Sequence, residues 1–256
     1  MAKIVSVHSF RGGTGKSNTT ANLATLIARA GKRVGVIDTD IHSPGIHVVF
    51  GLREEAMEFT LNDFLWGRCR IEQAAHDVTP PAGPGEGPSE APGAVLLIPS
   101  SARAGEIARV LSEGYDVGLL TDGFRALIRE LGLDYLFIDT HPGVNEETLL
   151  SIALSDTLLL IMRPDSQDFQ GTAVTVELAR RLEVDDLRVL VNKVPPGMDV
   201  ELLRGQVEAG FKAPVIGMLP LDHDIARLGS AGVFAARYPG HPLTQGLRQV
   251  ASRLLS

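Results

Sequence analysis

The chain has 256 residues, 44% hydrophobic and 21% charged, with net charge −7 and a single cysteine, Cys69. These values lie near the globular average and exclude wholesale disorder, a coiled coil and an internal disulfide framework. A dedicated polyanion binder is disfavoured too, because the basic residues are scattered apart from short pairs such as Arg180-Arg181.

A chain of this length can bury about three quarters of its unfolded surface, so one domain spanning 1–256 is expected. Met1 leads at once into the strand-like Lys3-Ile4-Val5-Ser6-Val7, without a signal-peptide pattern. No apolar run reaches the roughly 18 residues of a spanning helix, and a reducing cytoplasmic setting is the expectation. Buried strands are predicted at Ile4–His8, Val34–Ile37, Val95–Ile98, Tyr135–Ile138, Thr157–Met162, Val189–Val191 and Val215–Leu219. Helical patterns between them cover Asn22–Ala30, Val117–Leu131, Gly171–Leu182 and Val200–Glu208. Strands alternating with helices specify a doubly wound, mostly parallel sheet in a three-layer α/β/α fold, with ligands beyond the carboxyl ends of the strands. Thr79–Gly93 has no apolar side chain larger than alanine or proline and reads as a flexible surface loop within the domain. Near the C-terminus Leu243, Leu247, Val250 and Leu254 form a stripe that suits closing the core better than entering lipid.

The first strand runs into Phe10-Arg11-Gly12-Gly13-Thr14-Gly15-Lys16-Ser17, followed by a helix near Asn18. Glycines let a loop turn its N–H groups toward phosphate oxygens, and the helix N-terminus adds its positive dipole end. Lys16 is then placed to bridge the β and γ phosphates, and the Ser17 hydroxyl to ligate Mg²⁺. Because the loop is expected to be exposed, removing Lys16 should leave the fold intact. The strict G-x-x-x-x-G-K-S pattern fails at its first position, where Phe10 stands.

The loop resembles the deviant Walker A of the MinD/ParA ATPases, in which a signature lysine precedes the Gly-Gly pair. Here Arg11 holds that position. The resemblance implies that Arg11 binds the partner's nucleotide across an ATP-dependent homodimer, alongside Gly12, Gly13, Thr14, Gly15, Lys16, Ser17 and Asn18 from the loop itself. It makes Asp40, after Val36-Ile37-Asp38-Thr39, the acid that positions the attacking water near the metal. Asp139, after Tyr135-Leu136-Phe137-Ile138, becomes the Walker B acid holding Mg²⁺, with Ser17 and Asp40 beside it. Gly143 resembles the glycine that senses the γ phosphate, Asn192 the asparagine against adenine, and Pro220-Leu221-Asp222 the segment that closes over the base. Pro195 stands where a guanine-reading protein carries aspartate, which favours ATP/ADP over GTP/GDP.

The resemblance implies an ATPase switch that dimerises with ATP and positions or partitions a cargo, with a protein partner or cargo adaptor. A metabolic ATP-dependent synthetase or amidating enzyme of the same fold stays open, as does a nucleotide-dependent regulatory binding protein with little turnover. Arg11 counts against the synthetase, and a lone cysteine counts against a metal-cluster carrier. Membrane binding is not expected. Non-specific DNA contact through an arginine patch doubled by a dimer stays open without a positive sign. His42 and His47 lie near the acids, but solvated histidines beside oxygen ligands suited to Mg²⁺ make a poor transition-metal site.

Overall fold

The computed structural model describes residues 2–81 and 93–255. In chain order the elements are β1 (Lys3–His8), α1 (Lys16–Arg29), β2 (Arg33–Asp38), α2 (Ile46–Phe50), α3 (Leu61–Leu65), β3 (His76–Asp77), β4 (Ala94–Ile98), α4 (Ala104–Glu113) and α5 (Gly118–Leu131). There follow β5 (Tyr135–Asp139), α6 (Glu146–Ala153), β6 (Thr157–Met162), α7 (Ser166–Arg181), β7 (Asp186–Val194), α8 (Val200–Phe211), β8 (Val215–Pro220), α9 (His223–Leu228), α10 (Phe234–Arg237) and α11 (Pro242–Leu255). Among the described residues the strands form one sheet in the order β3-β4-β2-β5-β1-β6-β7-β8, parallel except for β3.

Period-2 alternation within each strand divides the core between the two faces of this sheet. Val34, Val36, Tyr135, Phe137, Leu159 and Ile161 face one layer, where they pack with α1 and α11. Ile37, Leu136 and Ile138 face the other, against α5, and Leu158, Leu160 and Met162 join α7 and α8 there. Each such fully buried side chain stabilises the fold by about 1.5–3 kcal/mol before entropy is counted. The α11 stripe is spent inside the molecule, with Leu243, Leu247, Val250 and Leu254 all in the α1-side core.

All seven anticipated strands are present, and β7 is longer than expected because its ends lie beside β6 and β8 rather than in a purely apolar run. Helix α1 begins at Lys16, two residues before the expected start near Asn18 and six before its apolar pattern at Asn22. The polar first turn has weak intrinsic preference for helix, and the left-handed Gly15 that precedes it sets the start instead. Helix α7 starts at Ser166 for a different reason: the Asp165 carboxylate caps it, accepting from the Gln167 and Asp168 N–H groups. The anticipated Thr79–Gly93 loop falls outside the described residues over 82–92. At its near end, the Thr79 hydroxyl accepts from the Val95 N–H at 2.9 Å.

Candidate functional site

β1 lies between β5 and β6, and β2 lies on the far side of β5. This order brings the carboxyl ends of β1, β2 and β5 together where the chain must cross from β1 to α1. Phe10 fits the crossing because α7 offers it a notch: a Cβ on Gly171 would lie 2.0 Å from the Phe10 ring. At the helix end, Gly15 has φ +91°, and a Cβ there would approach Asn192 Nδ2 to 2.6 Å. Glycine is therefore required at 15 for both backbone conformation and space. Two side chains from the end of β7 hold the loop carbonyls. Asn192 Nδ2 donates to Thr14 O at 2.8 Å, and Lys193 Nζ donates to Gly13 O at 2.7 Å, with Lys193 itself at φ +57°.

Lys16 is not exposed, contrary to the expectation from its loop: its side chain is 8% accessible, and Nζ donates to Asp139 Oδ1 at 2.8 Å. The reason lies beneath the loop, where β5 ends in Asp139, itself 1% accessible and also accepting from the Thr20 hydroxyl at 3.2 Å. Asp38 is fully buried beside them, with its two carboxylate oxygens accepting from the Asp40 and Gly45 N–H groups at 3.0 and 3.3 Å. Burial, and then the neighbouring Asp139 charge, push the Asp38 carboxyl up to about 8. Asp40 is also raised by burial, with His141 and Lys16 pulling the other way. Its carboxylate accepts from the Ser43 N–H at 3.1 Å and lies 3.8 Å from His141 Nε2.

His8 closes the floor. Its Nδ1 bonds the Thr140 hydroxyl at 2.8 Å, and that hydroxyl donates to Val7 O at 3.0 Å, so Nδ1 carries the imidazole proton. Burial, reinforced by Lys16, drives His8 down to about 3, which keeps it neutral.

Three buried or half-buried acids thus surround one ammonium, Lys16. An all-oxygen donor set with surplus negative charge suits a hard divalent cation, and the raised Asp38 carboxyl marks the charge that such a cation would relieve. Residues Asp40, Asp139 and Ser17 all lie at this place, Ser17 and Asp40 lining a cavity of about 370 Å³ and Asp139 lying beneath Lys16.

That cavity is bordered by Gly12, Gly13, Thr14, Gly15, Lys16, Ser17 and Asn18. A second cavity, about 290 Å³, adjoins it between α1, α9 and the ends of β7 and β8, and is bordered by Asn192, Pro220, Leu221 and Asp222. Asp222 contributes backbone here, since its carboxylate caps α9 through the Asp224 and Ile225 N–H groups. The Gly143 N–H donates to Ser9 O at 3.2 Å, which ties the turn after β5 to the start of the loop. Arg11 is directed away from both cavities: its guanidinium lies 3.4 Å from Asp168 and 3.8 Å from Asp165, at the start of α7. Asp168 already accepts from Arg163 through Nε and Nη2, both at 2.9 Å.

The sequence reading missed His8, Thr20, His141 and Lys193. For Lys193 a signal existed in its place beside Asn192, whereas the others act through partners on distant strands. The expectation of solvated histidines fails for His47, which is buried in α2, its pKa lowered by that burial. His42 meets the His141 ring edge-on.

Residues 5–233 match the CbiA family, the CobQ/CobB/MinD/ParA nucleotide binding domain. The chain belongs to this family. An uncharacterised ATP-binding protein of Methanocaldococcus jannaschii is 29% identical over all of this chain and 88% of its own length. The fold is shared with the cell division ATPase MinD of Pyrococcus furiosus, at 19% identity and a TM-score of 0.79 over 100% of this chain and 99% of that one. MinD of Pyrococcus horikoshii, solved with Mg-ADP, is likewise 19% identical, with a TM-score of 0.77 over 99% of this chain and 96% of that one. The chain is therefore a nucleotide-binding protein of the MinD/ParA ATPase family.

Proposed function

We propose that this protein is a cytoplasmic, Mg²⁺-dependent ATPase switch, folded as one domain, that dimerises with ATP and positions or partitions a cargo through a protein partner. The observation that carries the reading is Lys16, held 2.8 Å from Asp139 at the head of a glycine loop whose cavity also contains Asp40. Triphosphate binding would draw the Lys16 ammonium from Asp139 to phosphate and leave Asp139 to face the metal. Ser17, Asp40 and Asp139 would hold Mg²⁺, which when bound would supply neutralisation of the charge on the phosphate oxygens. Asp40 sits at the cavity edge and orients water, while Gly12 to Asn18 present N–H groups to the phosphates. Gly143 lies one hydrogen bond from the loop, where its N–H can exchange Ser9 O for a γ phosphate. Asn192 and the backbone of Pro220, Leu221 and Asp222 border the space for adenine. Arg11 leaves Asp168 and Asp165 to reach the partner's nucleotide.

The test combines ATP turnover with sizing in ADP and in ATP, for the wild type and Asp40→Ala. The wild type is expected to hydrolyse ATP and dimerise transiently. Asp40→Ala is expected to bind ATP, turn over at least tenfold more slowly and accumulate as a dimer. Normal turnover in Asp40→Ala would remove that residue from the chemistry. A monomer under every condition would end the switch reading.

A further inference from the structure

The two cavities meet at three residues that line both: Gly15, Asn18 and Ser230. In a nucleotide the sugar joins base to phosphate, so a molecule spanning both cavities must place its sugar at this junction. Gly15 has no side chain to offer. Only Asn18 and Ser230 bring polar side chains, and Asn18 Nδ2 lies 3.5 Å from Ser230 Oγ.

Ser230 reaches this position from the turn between α9 and α10. Its φ is +64°, and glycines at 229 and 232 flank it at +57° and +139°. A left-handed conformation is unfavourable for a residue other than glycine, because its Cβ crowds the following carbonyl oxygen. The turn thus holds a hydroxyl at a position where glycine would be easier to accommodate. Behind it, Asn22 anchors the far side of the turn: Asn22 Oδ1 accepts from the Ala235 N–H at 2.6 Å, and Asn22 Nδ2 donates to Asn18 O at 2.7 Å. The buried Asn22 amide therefore ties α10, which follows the Ser230 turn, to the turn of α1 that carries Asn18.

We infer that Ser230 recognises a ribose hydroxyl and makes the site selective for ribonucleotides over deoxyribonucleotides. This rests on the nucleotide-binding reading above. A hydroxyl that both donates and accepts matches the vicinal 2′ and 3′ hydroxyls of a ribose. An analogue lacking the contacted hydroxyl leaves Ser230 and Asn18 facing each other without the third partner.

The experiment measures the affinity of ATP, 2′-deoxy-ATP and 3′-deoxy-ATP by calorimetry, for the wild type and Ser230→Gly. Glycine adopts φ +64° without strain, so the variant keeps the turn. The wild type is expected to bind ATP roughly fivefold more tightly than one of the two deoxy analogues, the effect of a single net hydrogen bond. In Ser230→Gly, ATP is expected to weaken to the level of that analogue, whose own affinity stays unchanged. Equal weakening of all three nucleotides would mean that Ser230 only shapes the wall, and an unchanged preference for ATP would mean that another group reads the sugar. Either result overturns the inference. Wild-type protein that binds ATP without discriminating the sugars also overturns it, while leaving the nucleotide-binding reading intact. Wild-type protein that binds no nucleotide overturns both.

Discussion

Replacing Lys16 by methionine removes the ammonium and keeps the stem, so the perturbation falls on Asp139. That carboxylate is 1% accessible, loses a partner at 2.8 Å and, among the described residues, keeps the Thr20 hydroxyl at 3.2 Å. Breaking one side of a buried ion pair costs about 3–5 kcal/mol. The Thr20 bond draws the value toward the low end, while the Lys16 field that also lowers Asp38 and Asp40 draws it upward. At about 2–4 °C per kcal/mol for a chain of this size, the nucleotide-free variant should melt roughly 6–20 °C below the wild type. Asp139→Asn should cost less, because Lys16 can turn toward its other acidic neighbours. The double variant should recover more than half of the Lys16→Met loss, which urea unfolding of all four proteins at pH 7.5 would register as a coupling energy. If Lys16→Met unfolds at the wild-type midpoint, or the two single effects simply add, the buried pair does not hold the floor of the site.

Asp38 makes the free protein sensitive to alkaline pH. Its folded value, about 8, lies above the ordinary 3.8, so the stability it contributes is full below about 4 and is lost as pH rises toward 8 and beyond. Between pH 7 and 9 this amounts to about one unit of linkage, or about 1.4 kcal/mol, and Asp38→Asn should flatten the urea midpoint over that range. The depressed His8 adds slope only below its ordinary 6.5, so an equally steep decline in the variant would reject the assignment. Gly15→Ala should abolish ATP binding in calorimetry, since its Cβ meets Asn192 Nδ2 at 2.6 Å in a left-handed backbone; retained affinity would show that the loop relaxes freely. Arg11→Ala should leave ATP affinity within about threefold yet suppress ATP-dependent dimerisation, with Arg11→Lys restoring much of it because a point charge still meets phosphate. Light scattering with ATP decides this, and a normal dimer in Arg11→Ala would confine Arg11 to its contacts with Asp168 and Asp165.

The strands and the loop were legible because each is encoded locally: period-2 apolar runs mark β2 and β5, and the Gly-Gly-x-Gly-Lys-Ser spacing marks the turn into α1. The same locality explains what was hidden. Phe10 marks the departure from the strict motif, but the room for its ring comes from Gly171 on α7, far along the chain. Glycine spacing says nothing about what lies under a loop, so the burial of Lys16 depended on β5 standing between β1 and β2. The position of Arg11 likewise depends on acids that cap and open α7, far along the chain. Ser230 gave no sequence signal, because its importance comes only from where two cavities join.

The bonds from Asn192 and Lys193 to the loop carbonyls have a consequence for how quickly an anion can be received. A trans peptide is planar and sets its N–H opposite its C=O. With the Gly13 and Thr14 carbonyls turned toward β7, the N–H groups of Thr14 and Gly15 must turn away from it. Their dipoles are oriented when the sheet assembles, so an arriving phosphate meets an aligned field rather than a loop that has to rotate its peptide planes. Loss of the Lys193 or Asn192 side chain would then show itself first as slower association, with the bound complex reached only after the loop finds the orientation that β7 no longer enforces.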